Sequence, residues 1–141
     1  MLIECGLIVS ALAGLSISLY FSLVYYNIIG ANQWFIPSFC RMDEETCRYV
    51  IHTSYAKLLG IPNSILGVFY YAIILFILLI DGIRSHFFIN EIIIIGSIIT
   101  VIASVYLAYV LLAKVKVNCV FCFTIHILNV IILILLTYTN G

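Results

Sequence analysis

The sequence has very few charged residues. Its 141 residues include six Lys and Arg and six Asp and Glu, or 9%, whereas hydrophobic residues make up 65%. An average soluble domain carries roughly 25% charged residues, so the composition excludes an ordinary water-soluble domain. The formal net charge is zero and no basic run is present, which excludes nucleic acid as a partner.

The few charges are clustered, and they leave four long uncharged windows: Cys5–Cys40, Leu58–Ile80, Ile92–Ala113 and Val117–Gly141. Each window exceeds the ~18 residues typical of a membrane-spanning helix. We predict helices over about 7–29, 62–80, 92–113 and 119–138, with a loop over 30–61. The expected fold is a single all-α domain, residues 1–141, forming an integral membrane four-helix bundle surrounded by lipid.

The first window is expected to be a retained helix. It is longer than the roughly 7–15 apolar residues of a signal peptide and has Glu4 where a positive segment would stand. Small residues recur at every fourth position of helices 1 and 3, which predicts close packing in lipid. The two rows are Gly6, Ser10, Gly14, Ser18 and Ser22, and Gly96, Thr100, Ser104 and Ala108.

The loop between helices 1 and 2 contains a second pattern. Residues Cys47–Leu59 contain apolar side chains such as Val50 and Tyr55 together with polar ones such as His52 and Lys57. This pattern predicts a short amphipathic helix lying on the mouth of the bundle.

Four of the five cysteines form two pairs, which the four-span topology places on the same side of the membrane. Cys119 and Cys122 form a C-x-x-C at the start of helix 4, where the helix dipole favours a thiolate and the spacing permits a disulfide. Cys40 and Cys47 flank a charged loop segment, and they could exchange with an external thiol and then with Cys119. Cys5 lies across the membrane and is expected to be inert.

Other interpretations of the cysteines remain open. A purely structural Cys40–Cys47 disulfide would make the chain a structural or transport protein, but it leaves the C-x-x-C unexplained. A zinc site made of all four cysteines matches the ligand count, yet structural zinc usually supports small soluble domains. We therefore expect no metal.

Polar residues line one face of helix 4 and one face of helix 2. Cys122, His126 and Asn129 share a face of helix 4 at 100° per residue, and Asn63, Gly67 and Tyr70 share a face of helix 2. A carbonyl-bearing ligand between these helices could accept a hydrogen bond from Asn63, and we expect Tyr70 to belong to the same binding site. In the alternatives, Asn63 belongs to the helix start and Asn129 bonds a neighbouring helix. For His126 we favour a ligand or proton role.

Together these segments resemble the vitamin K epoxide reductase family over about residues 39–130. The resemblance rests on the two cysteine pairs in this order and on the blocks between them: Cys47-Arg48-Tyr49-Val50 with Thr53, Gly60-Ile61-Pro62-Asn63-Ser64-Ile65-Leu66-Gly67-Val68-Phe69-Tyr70, and Ala103-Ser104-Val105-Tyr106-Leu107-Ala108-Tyr109.

The resemblance implies a thiol:quinone oxidoreductase that supports disulfide formation, with a menaquinone- or ubiquinone-type cofactor. It implies that Cys122 adjoins the quinone, that Cys119 exchanges with Cys47, and that Cys40 faces the partner protein. It also implies that Asn63 and Thr53 lie near the quinone ring.

The chain departs from the family pattern at two points. His126 stands where the animal enzymes have Tyr, so vitamin K quinone or epoxide reduction is only the alternative activity. Many bacterial relatives carry a thioredoxin-like domain after helix 4, whereas this sequence ends at Gly141. The expected partner is therefore a separate thioredoxin-fold protein.

The charges and the resemblance predict opposite orientations in the membrane. Only Arg84 lies on the termini side, and the other five basic residues lie on the cysteine side: Arg41, Arg48, Lys57, Lys114 and Lys116. The positive-inside rule would place the cysteines in the cytoplasm, but most bacterial relatives have them outside. We expect a prokaryotic plasma membrane with extracytoplasmic cysteines, with the inverted topology as the alternative.

Overall fold

The computed structural model describes residues 1–29, 49–50, 52–80, 86–116 and 119–141. These residues contain four long helices, each lying mostly within one of the four uncharged windows: α1 (Leu2–Tyr25), α2 (Asn63–Leu79), α3 (Phe87–Val110) and α4 (Val120–Asn140). The predicted all-α membrane bundle is confirmed, with changes at the helix ends.

Two of the four predicted helices, the first and the third, have ends that lie about one turn from the predicted positions. Helix α1 begins at Leu2 and ends at Tyr25, shortly before Asn27, whose φ of 56° is left-handed. Helix α3 begins at Phe87 rather than near residue 92, because one charged residue, Glu91, does not interrupt an otherwise apolar helix. After α3 the chain makes a π-helical turn, Leu111–Val115, which ends at Lys116 with a φ of 56°.

The amphipathic helix predicted over Cys47–Leu59 is wrong in its second half. In this segment Tyr49, Val50 and His52 are helical, but Ser54–Ala56 form a single 3-10 turn. Strand β1 (Lys57–Leu58) then pairs antiparallel with β2 (Ile61–Pro62). Leu59 and Gly60 between them have φ values of 54° and 82°. Two successive positive φ values form a tight hairpin turn and end a helix, so this segment folds back before α2.

The small-residue row of α1 packs as predicted. Ser10, Gly14 and Ser18 are buried, and a Cβ added at Gly14 would overlap the ring of Tyr71 in α2. The row of α3 follows the prediction only in part. Ser104 is buried, but a Cβ added at Gly96 would meet no atom within 4 Å.

The buried apolar residues form two separate clusters along the bundle axis. The loop-side cluster consists of Phe21, Val24, Val50, Leu111 and Cys119. The termini-side cluster consists of Leu7, Ala11, Tyr71, Ile74, Leu75, Ile132 and Leu136. The site described below lies between these two clusters.

The outer surfaces of the helices are apolar as well, with exposed side chains such as Leu12, Phe76, Ile102 and Ile127. Helices that are hydrophobic all round are typical of membrane spans. α1, α4 and α3 with its π turn are each long and apolar enough to cross a membrane. α2 has 17 residues, the lower limit of the roughly 17–25 that a span needs. The protein is an integral membrane protein.

Candidate functional site

The C-x-x-C begins α4, as predicted. Cys119 is the N-cap in an extended conformation, and its sulfur accepts a hydrogen bond from the backbone N–H of Cys122 at 3.3 Å. The two residues form a disulfide, with their Cα atoms 5.1 Å apart. A backbone N–H directed at Cys119 Sγ would also stabilise a thiolate there after reduction.

The two sulfur-bearing residues lie in different surroundings. Cys119 is 0% exposed and belongs to the loop-side cluster, in which Val50 of the loop segment is also buried. Cys122 lies one turn further along α4 and lines a cavity. The disulfide therefore joins a covered residue on the loop side to a residue that faces an internal space.

That cavity has a volume of about 280 Å³ and is walled by all four helices and by the segment between α1 and α2. It is near the lower end of the roughly 300–1,000 Å³ of small-molecule sites. The described residues predicted to bind a cofactor all line it: Thr53, Asn63, Tyr70 and His126. The sequence pattern thus brings these side chains and Cys122 to one cavity.

Three of these polar side chains are held by hydrogen bonds. Asn63 Nδ2 donates to the carbonyl of Tyr55 at 3.1 Å, and Thr53 Oγ1 donates to the carbonyl of Val50 at 2.8 Å. These bonds stabilise the loop segment over the cavity mouth. Asn63 is the first residue of α2 but does not cap it, since Pro62 is the N-cap.

Tyr70 closes the gap between two helices. Its hydroxyl, from α2, is 2.9 Å from Ser97 Oγ of α3. Ser97 is 0% exposed, so this contact lies inside the bundle and joins α2 to α3 beside the cavity that Tyr70 lines.

His126 differs from the other polar residues of the cavity. Among the described residues, its Nδ1 is the one buried side-chain nitrogen or oxygen without a hydrogen-bond partner. Burying a polar atom unpaired is costly, and such atoms in native proteins usually have a partner. A ligand with a carbonyl or hydroxyl group would supply one, so the site fits a quinone on an observation independent of the cysteines.

The sequence prediction missed Tyr71. Its hydroxyl donates to Asn129 Oδ1 at 2.5 Å, and Asn129 Nδ2 donates to Ser104 Oγ at 2.7 Å. The signal was present, because Asn63, Gly67 and Tyr71 follow one another at every fourth position and so share a face. The alternative in which Asn129 bonds neighbouring helices is confirmed, although Asn129 also lines the cavity.

The remaining predicted site residues lie elsewhere. Cys40 and Cys47 are outside the described residues, and with them the structural-disulfide and zinc alternatives. Cys5 is exposed and free near the start of α1. Within the described parts of the chain, no three His, Cys, Asp or Glu residues cluster as metal ligands.

Fold and site together define a class of protein, a membrane helical bundle in which a cysteine pair at a helix start adjoins an internal cavity, as in membrane thiol oxidoreductases. The model of the vitamin K epoxide reductase family matches residues 6–137, and the chain belongs to this family. It is accordingly an oxidoreductase of a family that links thiols to quinone and works with redox partner proteins.

Proposed function

We propose that the protein is a thiol:quinone oxidoreductase that oxidises a separate thioredoxin-fold protein and passes the electrons through two cysteine pairs to a membrane quinone. Either a menaquinone or a ubiquinone would serve as the electron acceptor. The observation that carries the proposal is the position of Cys122, which is disulfide-bonded to Cys119 and lines the same cavity as Asn63 and His126.

The cysteine chemistry proceeds by two exchanges. A thiolate on Cys47 attacks Cys119 Sγ, which forms a Cys47–Cys119 mixed disulfide and releases Cys122 as a thiolate facing the cavity. A thiolate on Cys40 then attacks Cys47 Sγ, which leaves a Cys40–Cys47 disulfide and a reduced Cys119. The partner's dithiol reduces Cys40–Cys47 by the same chemistry, and its own cysteines become a disulfide.

Chain length supports the first exchange. Val50 is buried in the same cluster as Cys119, and Cys47 precedes Val50 by three residues. Three extended residues span at most about 11 Å. The chain therefore limits the separation of Cys47 from Val50, a residue of the cluster that contains Cys119, to about 11 Å.

The cavity would hold the quinone ring, which accepts two electrons and two protons when bound. One hydrogen of the Asn63 amide is used by Tyr55, so the second can donate to a ring oxygen. His126 Nδ1 provides another polar contact. Ile99 lines the cavity and is 62% exposed on the outer surface of α3, so an apolar tail has a short path to lipid.

The proposal is tested with the full chain in detergent, a reduced thioredoxin-fold dithiol protein and a short-tailed quinone. We expect quinol formation in the wild type and a loss of at least about 100-fold in Cys122→Ser, because the released thiolate is the group that faces the cavity. Cys5→Ser is the matched control, since Cys5 is free and at the opposite end, and it should retain wild-type rates. Equal activity of Cys122→Ser and wild type would refute the proposal.

We further propose that the cysteines face the outside of a prokaryotic plasma membrane. A membrane-impermeant thiol reagent applied to intact, mildly reduced cells should then label Cys40 and Cys47 in a Cys5→Ser background. Labelling that requires lysis would establish the inverted orientation, in which the basic residues of the cysteine side are cytoplasmic.

A further inference from the structure

A row of contacts crosses the whole bundle beneath the cavity. The ring of Tyr71 (α2) lies against Gly14 (α1), its hydroxyl donates to Asn129 (α4), and Asn129 donates to Ser104 (α3). We call these four residues the cross-bundle row. Tyr71, Asn129 and Ser104 are 1%, 4% and 4% exposed.

The row separates the cavity from the termini-side cluster. Tyr71, Asn129 and Ser104 line the cavity, while Tyr71 also belongs to the termini-side cluster with Ile74 and Ile132. Below the row lies packed apolar core, and above it lies the space that Cys122 faces. Tyr71 and Asn129 are thus the floor of the cavity on α2 and α4, whereas on α3 the lining continues about one turn beyond Ser104, to Thr100 and Ile99.

The floor has a fixed distance from the reactive sulfur, because both lie on one rigid helix. Cys122 and Asn129 are seven residues apart on α4, which corresponds to about 10 Å of rise. We propose that the cross-bundle row is a depth stop that aligns a quinone ring with Cys122 and thereby determines which ring size is accepted. This inference rests on the proposed function.

The row could instead serve only to tie the helices together. A limit on ring depth depends on the side-chain volume at position 129, whereas holding the helices together depends on the hydrogen bonds made there. Asn129→Leu removes both hydrogen bonds but keeps a side chain of similar length. Asn129→Ala removes the hydrogen bonds and also deepens the cavity. If the row only holds the helices together, both variants should change the preference between quinones in the same way. If the row limits how deeply the ring enters, the two variants should differ in that preference.

The experiment compares two quinones with the same short isoprenoid tail, one monocyclic and one bicyclic, on the purified full chain. Direct binding in detergent, kcat and KM are measured for each. In Asn129→Ala we expect the ratio of kcat/KM values to shift about tenfold toward the bicyclic ring, the low end for a methylene-sized mismatch. For the monocyclic quinone, kcat should fall while binding and KM stay nearly unchanged, since the ring enters too deeply. Asn129→Leu should keep the wild-type ratio.

A second variant tests the opposite direction and remains decisive if Asn129→Ala does not fold. Ser104→Val raises the floor and should shift the binding and kcat/KM ratios toward the monocyclic ring. Gly96→Ala is the control, because its added Cβ meets nothing and Gly96 does not line the cavity.

The depth stop would be overturned if Asn129→Ala and Asn129→Leu shifted the ratio of kcat/KM values equally. It would also be overturned if neither Asn129→Ala nor Ser104→Val shifted that ratio. Both outcomes would leave the proposed function intact. If wild type neither binds nor reduces either quinone, the proposed function itself fails and the depth stop with it.

Discussion

The two apolar clusters of the bundle are built from different parts of the chain. The termini-side cluster contains residues of the long helices alone, including Leu7, Ile74 and Ile132. The loop-side cluster includes Cys119 and depends on Val50, which comes from the connecting segment between α1 and α2. The end of the bundle that carries the C-x-x-C is therefore closed in part by a residue from outside the four long helices.

This difference matches the chemistry proposed for each end. Cys119 is 0% exposed, yet thiol–disulfide exchange requires that an attacking thiolate reach its sulfur. The cover over Cys119 must therefore open in each cycle, whereas the floor at Tyr71 and Asn129 must stay in place. We therefore expect the loop-side half to open locally at a low free-energy cost, and the termini-side half to open only at a cost close to that of global unfolding.

The largest expected stability effect is at Gly14. An added Cβ would overlap the ring of Tyr71, which is 1% exposed and hydrogen-bonded and so has no room to move. Gly14→Ala should lower the free energy of unfolding in mixed micelles by about 1–3 kcal/mol, as expected for overpacking.

Gly96→Ala is the matched control for this measurement. It is also a helical glycine in a small-residue row, but its added Cβ meets no atom within 4 Å. It should be neutral or stabilising by up to about 1 kcal/mol through helix propensity. Equal effects of the two substitutions would mean that the termini-side half is not tightly packed around Tyr71.

The glycine pair also shows what the sequence could and could not predict. Spacing alone gave Gly14 and Gly96 the same role, because a row of small residues indicates a close approach without saying which rows find a partner. The partner of Gly14 is the large side chain of Tyr71, on a helix more than 50 residues away in the sequence. Uncharged windows, in contrast, predicted all four helices, because the cost of charge in lipid acts locally along the chain.

The site was predictable to a similar extent. The C-x-x-C at the start of α4 and the facing positions Asn63 and His126 follow from helical periodicity, and these residues do line one cavity. Periodicity could not predict the hairpin at Leu59 and Gly60, since Leu rarely adopts a positive φ. Nor could it predict that Val50 is buried in the same cluster as Cys119, which depends on how the segment between α1 and α2 folds over the bundle.

Val50→Ala should distinguish the two halves directly. Removing two methyl groups from the loop-side cluster should cost about 1–1.5 kcal/mol of stability and loosen the cover over Cys119. In the reduced protein with Cys5, Cys40, Cys47 and Cys122 changed to Ser, Cys119 should react several-fold faster with a thiol reagent than in the same background with Val50.

Ile132→Val serves as the control for that experiment. Ile132 is 0% exposed in the termini-side cluster, and this substitution should cost about 0.5–1.5 kcal/mol. It should leave the labelling rate of Cys119 unchanged, because Ile132 does not belong to the loop-side cluster in which Cys119 is buried. Faster labelling in both variants would mean that Cys119 is reached by global unfolding rather than by local opening.

The smallest expected effect is at Tyr25, which ties the loop segment to the end of α1. Its ring stacks on His52 with centroids 4.9 Å apart, and Lys57 Nζ lies 5.7 Å from the ring centroid. Exposed contacts of this kind contribute about 0.5–1 kcal/mol each. Tyr25→Leu should therefore raise the Cys119 labelling rate by about two- to fivefold with little change in global stability.

Tyr138→Leu, at an exposed tyrosine near the end of α4, should change neither quantity. If Tyr25→Leu left the labelling rate unchanged while Val50→Ala raised it, the cover would be held by apolar burial alone.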